Sequence, residues 1–135
     1  MAFGSNQFIQ SDLSTQRQMF KFLDLSLNPG TYDIAQCFGG DIIIRGFSVY
    51  CSVPGATFTS ISIQTDQQTP FVLMSSAEGI VANLTGNNNI VTANSNKAFI
   101  MRNGQKIRYT ISGSQGTGEL IFAFSYLPLQ EGAKI

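Results

Sequence analysis

Ile42-Ile43-Ile44-Arg45-Gly46-Phe47-Ser48-Val49-Tyr50-Cys51-Ser52-Val53 is the stretch that decides the fold class. Phe47, Val49, Cys51 and Val53 share one parity, with Ser48, Tyr50 and Ser52 opposite, which is the two-residue period of a half-buried strand. Ile42 and Ile44 have the other parity. A slip of one residue reverses every side chain of a strand, so both halves face one core only with a bulge or bend at Arg45-Gly46. Pro54-Gly55 ends the segment.

Outward from this strand the same period recurs in short pieces. Towards the N-terminus, Met19, Leu23, Leu25 and Leu27 share one parity, Asn28-Pro29-Gly30 makes a turn, and Thr31-Tyr32-Asp33-Ile34 starts another strand. Residues 1–18 are rich in Gln and Ser, with scattered Phe3, Phe8, Ile9 and Leu13 and no sustained period; they read as an arm that orders when something grips it. Towards the C-terminus, Ile61 and Ile63 alternate with Ser60, Ser62 and Gln64, and Phe71 to Met74 follows Pro70.

Between 76 and 96 the pattern weakens. Gly79 and the β-branched residues beside it oppose a long helix. Asn87-Asn88-Asn89 and Asn94-Ser95-Asn96 read as loop tips around a brief Ile90-Val91-Thr92 strand. Ala98 to Met101 and Ile107 to Ile111 flank Asn103-Gly104, so a tight hairpin is expected there. Residues 113–118 (Gly-Ser-Gln-Gly-Thr-Gly) read as a flexible interstrand loop. The last strand, Glu119 to Leu127, is apolar on nearly both faces and is expected to be central and covered on both sides.

About eight short strands and no secure helix predict an all-β, single-domain antiparallel β-sandwich, jelly-roll-like, with an extended N-terminal arm. The divisions are 1–18 for the arm, 19–129 for the sandwich domain and 130–135 for a C-terminal tail. An immunoglobulin-like sandwich is the second choice: Cys37 and Cys51 stand too close in sequence for its inter-sheet bridge, and there is no Trp to pack on one.

Composition limits the function. At 135 residues the chain fits one domain, and it is 43% hydrophobic but only 12% charged, against about 25% charged in ordinary soluble domains. A polar surface built mostly from Ser, Thr, Asn and Gln suits a protein covered by neighbours. Eight basic and eight acidic residues cancel, so net charge steers the chain neither to nucleic acid nor to a membrane. No apolar run is long enough to span a bilayer. The N-terminus lacks the order of a secretory signal, so a chain made and folded in a cytosol, with two reduced and packed thiols, is expected.

The sequence contains no histidine. That removes the commonest neutral-pH base, the commonest metal ligand, and any Ser-His or Cys-His pair. The eight carboxylates, Asp12, Asp24, Asp33, Asp41, Asp66, Glu78, Glu119 and Glu131, do not cluster in sequence and read as turn and strand-end groups. The Gly-rich loop lacks a phosphate-binding lysine and does not precede a helix. Asp66 and the Asn-rich tips show no calcium-loop spacing. No enzyme, cofactor or metal is expected. Lys97, Arg102, Lys106 and Arg108 put half the basic residues within twelve positions; a contact stripe for an acidic partner is one reading, and the solvated face of a hairpin is the favoured one.

The order Arg45-Gly46-Phe47-Ser48-Val49-Tyr50, Ile61-Ser62-Ile63, Lys97-Ala98-Phe99-Ile100-Met101, Gly104 to Ser112 and Gly116 to Leu129, over residues 42–129, resembles the small β-sandwich virion proteins of tailed bacteriophages, particularly capsid decoration (cement) proteins. The resemblance implies a non-enzymatic protein on the capsid exterior that stabilises the shell by bridging major capsid subunits, as a homotrimer. Phe3, Phe8 and Ile9 would then anchor the arm in apolar grooves, with Arg17 paired to an acidic neighbour. The alternative is a tail-fibre or host-recognition module that binds carbohydrate through the Asn-rich loops, although that stretch carries no aromatic residue before Phe99.

Overall fold

Why the chain rolls rather than meanders is visible in its strand pairing. The computed structural model describes residues 16–52, 55–84 and 98–135. The elements run β1 (Arg17–Asp24), β2 (Gly30–Gln36), β3 (Ile42–Cys51), β4 (Ser60–Thr65), β5 (Val72–Met74), a single helical turn α1 (Val81–Leu84), β6 (Phe99–Met101), β7 (Lys106–Ser112) and β8 (Glu119–Pro128). Two four-stranded antiparallel sheets form, β1-β8-β3-β6 (sheet I) and β2-β7-β4-β5 (sheet II). The pairing is nested: the first strand joins the last, β2 joins β7, β3 joins β6, and β4 joins β5. A long antiparallel ribbon rolled over on itself gives this order, which is a jelly roll. β4 and β5 lie in one sheet; every other consecutive pair of strands lies in opposite sheets.

The parity change in β3 is a β-bulge. Ile44 faces Tyr126 and Gly46 faces Ser125, which leaves Arg45 as the extra residue. Ile42, Ile44, Phe47 and Val49 are therefore all buried. They meet Phe122, itself fully buried, whose ring lies 6.1 Å from that of Phe47 and 5.1 Å from that of Phe124. From sheet II come Ile61, Ile63, Ile107, Tyr109 and Ile111. Burial of these side chains is the main force holding the sheets together. The buried Thr65 hydroxyl accepts the Phe71 N–H at 2.8 Å and ties the β4–β5 connection.

Three expectations need correction. Asn103-Gly104 does form a turn, in which Gln105 N–H donates to Arg102 carbonyl. It does not close a hairpin, because β6 belongs to sheet I and β7 to sheet II. A hairpin would next need Arg102 N–H on Gln105 carbonyl. Instead the Gln105 side-chain oxygen takes that N–H at 2.8 Å, and Gln105 carbonyl accepts from Cys37 N–H. The turn is a corner between sheets.

The Gly-rich segment 113–118 is pinned, not loose. Thr117 exchanges two backbone hydrogen bonds with Thr57, Gly116 N–H donates to Leu25 carbonyl, and the Gln115 amide donates to Ser26 carbonyl. A Cβ on Gly116 would stand 2.0 Å from the Thr57 carbonyl oxygen, so only glycine fits. The third correction concerns β8, which is central but sealed on one face. Leu120, Phe122, Phe124 and Tyr126 are buried, whereas Ile121, Ala123, Ser125 and Leu127 are only half-buried.

The ends of the domain also differ from the divisions drawn from sequence. β1 opens at Arg17, inside the segment assigned to the arm. Residues 130–135 pack on the domain: Phe38 and Lys134 exchange backbone hydrogen bonds at 2.9 Å each, and Ala133 and Ile135 are buried.

Candidate assembly surface

The uncovered side of β8 is part of a continuous outer face on sheet I. Register sets its rows. Gln18, Ser125 and Gly46 stand side by side; the next row is Phe20, Ala123 and Ser48; the next is Phe22, Ile121 and Tyr50. Towards the other end Leu127, Ile43 and Ile100 form a further apolar row. Phe20 is 58% exposed and Phe22 65%, far more than a ring of that size retains in a folded core. Among the described residues the charges of this face are Asp24 and Glu119 at one end and Arg45 at the bulge, between the row of Gly46 and the row of Ile43.

The rows also give the face relief. Gly46, Ser48, Ala123 and Ser125 are small and adjacent, so they floor a shallow open trough of about 390 Å³, with Gln18 and Phe20 along its side. Phe22 stands one row further on. The bulge contributes here too, since it places Gly46 on the floor. A trough this open suits a protruding side chain from another surface better than an enclosed small molecule.

Sheet II presents the opposite character. Its outward rows hold Thr31, Thr110 and Ser62, then Asp33, Arg108 and Gln64. Thr31 and Thr110 hydroxyls hydrogen-bond at 2.9 Å. Lys106 Nζ lies 3.0 Å and Arg108 Nε 2.8 Å from the Asp33 carboxylate. No aromatic side chain stands on these rows, so they offer no stacking platform for a sugar. One outer face is dressed for water and the other is not.

Edge-to-edge pairing is blocked on both sheets. β1 carries Lys21 on the inward parity, between Met19 and Leu23. β2 has a register shift between Asp33 and Ala35, and β5 and β6 are only three residues long. Inward charges, bulges and short strands are the devices by which edges are kept from pairing with other chains. These devices leave the two outer faces, and not the edges, open to contact.

The other candidate groups are tied into the fold. Arg102 pairs with Asp41 at 3.0 Å, and Lys106 and Arg108 both pair with Asp33. These basic residues are tied to two carboxylates in two separate places, which is the solvated-face reading; Lys97 lies outside the described residues. The Lys106 hydrogen bond, with Arg108 beside it, holds the Asp33 carboxyl below its ordinary value. Asn103 N–H and then Arg102 do the same for Asp41, and the Ser26 hydroxyl and N–H for Asp24. Asp66 accepts Lys106 N–H, Glu78 accepts Ser75 N–H, and Glu119 accepts from Ser52. Among the described residues no three acidic or thiol side chains come together as a metal site.

Cys37 is a buried free thiol, and the Cys51 S–H donates to the Glu119 carbonyl. Burial pushes the Cys37 thiol up, and its S–H donates to Gly40 carbonyl at 3.0 Å. It is a packed group and not a reactive one.

Of the residues assigned to partner binding, Phe3, Phe8 and Ile9 lie outside the described residues. Arg17 is the first residue of β1, half-buried opposite Tyr126 and on the inward parity. Phe20 and Phe22 are the residues the sequence reading missed. Their signal was present: Met19 to Leu23 is apolar on both parities, so one set had to lie outside the core.

Among the described residues no helix is long and apolar enough to cross a membrane. No family model matches the chain, and no curated protein matches it. Solved structures resemble it in shape. A chain in the acidic stable capsid structure of Helicobacter pylori bacteriophage KHP30 aligns with TM-score 0.55 and 10% identity, over 90% of this chain and 92% of that one. The Drosophila NLP core, described in terms of pentamer formation and histone binding, gives TM-score 0.44 and 10% identity over 82% and 97%. A protein of the disulfide-linked pili of Bacillus endospore appendages gives 0.41 and 16% over 86% and 90%. Of these three, the phage capsid chain alone is similar enough to carry a shared fold, and at such identity the likeness is one of fold.

Proposed function

We propose that this chain is a non-enzymatic structural protein of a virion, a capsid decoration protein whose outer sheet I face packs against protein neighbours in a repeated assembly. The observation that carries the reading is the face itself: Phe20, Phe22, Ile121 and Tyr50 form one apolar patch, and Leu127, Ile43 and Ile100 a second beyond the row of Gln18, Ser125 and Gly46, on a sandwich whose edges are all guarded. Exposed apolar patches of this kind mark a place where another protein binds. Its capsid context draws support from the KHP30 likeness in fold and from the resemblance in segment order. The absence of histidine and the structural engagement of Asp24, Asp33, Asp41, Asp66, Glu78 and Glu119 argue against catalysis.

In this reading the protein sits on the capsid exterior, and residues 1–16, with Phe3, Phe8 and Ile9, reach the major capsid subunit. Arg17 at the head of β1 stands where such an arm leaves the domain. The resemblance implies a trimer, whereas the relief of the sheet I face favours pairs. Purified virions provide the test. Copy number comparable to that of the major capsid protein is expected, and deletion of residues 2–15 should release the protein from particles while the folded domain survives. A handful of copies per particle, or full retention after the deletion, would contradict the proposal.

A further inference from the structure

We infer that the occupant of the sheet I face is a second copy of this chain, packed face to face about a twofold axis so that Phe22 of each copy enters the trough of the other. The inference rests on the proposed use of that face as a contact surface and names its partner.

Knob and trough lie on the same face, in neighbouring rows. Phe22 protrudes, and the row of Phe20, Ala123 and Ser48 beside it is lined by small side chains that continue to Ser125 and Gly46. A patch carrying both a projection and its matching depression is self-complementary, which is the requirement for an isologous interface. A head-to-tail contact would need knob and trough on different faces.

Charge points the same way. Contact across the three central rows buries no charged side chain. The charges that a full-face contact adds, Asp24 and Glu119 at one end and Arg45 at the bulge, are of both signs, so the self-contact does not bring like charges alone together. The same rows offer nothing to steer a strongly acidic or basic partner.

The area suffices. Four strands at about 4.8 Å spacing make the face roughly 19 Å wide, and the eight residues of β1 at about 3.3 Å make it roughly 26 Å long. The footprint is about 500 Å² per copy and about 1,000 Å² for the pair, which meets the lower bound of a specific interface only when the whole face is used. Sheets pack at about 10 Å with their strands rotated by about 30°, so two such faces stack as the two sheets inside one sandwich do.

Sedimentation equilibrium of the full-length chain tests this. The wild type should have twice the 14.7 kDa chain mass. Phe20→Ser/Phe22→Ser, which removes the projections, and Ala123→Arg, which fills the trough, should each fall to the mass of one chain with unchanged circular dichroism. A wild-type mass other than twofold, or a twofold mass kept by both variants, overturns the inference. Particle binding is scored separately. A monomer that decorates virions stoichiometrically sinks the second copy and leaves the structural role standing; a dimer absent from virions does the reverse.

Discussion

The carboxylate of Asp41 accepts the backbone N–H of Asn103 at 2.9 Å, so a side chain just before β3 holds the corner between β6 and β7. Its second oxygen takes Arg102 Nη1 at 3.0 Å. The corner is thus held from two sides, by Asp41 on Asn103 and Arg102 and by Cys37, whose N–H donates to the Gln105 carbonyl and whose carbonyl accepts the Gly104 N–H. Asp41→Ala should therefore lower the melting temperature, and Asp41→Asn should lower it less, since an amide oxygen still accepts the Asn103 N–H. Equal losses in the two variants would show that the backbone contact contributes nothing.

Stability against pH should form a broad plateau. Asp24, Asp33 and Asp41 are held below their ordinary value in the folded chain by Ser26, by Lys106 and Arg108, and by Asn103 and Arg102. A carboxyl with a lowered folded pKa contributes stability above its unfolded value of about 4, and that contribution is lost as pH falls through the folded value. Cys37 and Tyr109 are raised, mainly by burial, above the usual 9.0 and 10.0. Their contribution is complete below those values and lost as pH rises through the folded ones. With no histidine, urea midpoints should be flat between about pH 5 and 8. A step near pH 6.5 would contradict this.

Gly116→Ala should cost about 2–3 kcal/mol, because its Cβ would overlap the Thr57 carbonyl oxygen and the bridge between Thr57 and Thr117 must open. Gly104→Ala meets no atom within 4 Å but sits at φ +92°, so about 1 kcal/mol of backbone strain is expected. Denaturant midpoints should rank the two in that order.

The two faces of sheet I should respond oppositely to loss of an aromatic ring. Phe122→Ala empties the centre of the core and should cost about 3–5 kcal/mol. Phe22→Ser, opposite Ile121 on the outer face, should change stability by no more than about 0.5 kcal/mol when measured on the separated chain. A large loss in the second variant would mean that Phe22 belongs to the core.

How much was legible in the sequence varies with the physics involved. The bulge was readable because a parity change between Ile44 and Phe47 has one economical cause. Strand existence followed from period two, and the sandwich class from strand count and turns. Asn103-Gly104 was misread because the same local chemistry serves a hairpin and a corner; the deciding hydrogen bonds come from Asp41 and Cys37, distant in sequence. The mobility expected of residues 113–118 ignored Thr57 and Leu25 for the same reason. In β8 the two-sided apolar pattern was read as burial on both faces. It is burial on one face and an uncovered surface on the other, and Phe20 and Phe22 on β1 extend that surface. The candidate site was thus written in the sequence as surplus apolarity, without a sign saying whether the cover comes from this chain or from another.

The most direct test is hydroxyl-radical footprinting of the same protein dilute, concentrated and on purified particles. Ring oxidation at Phe20 and Phe22 should fall severalfold on assembly, while Phe38, exposed at a site away from sheet I's central rows, keeps its reactivity. If Phe20 and Phe22 stay as reactive in the assembled state as in the dilute one, the sheet I face is not the contact surface and the account fails.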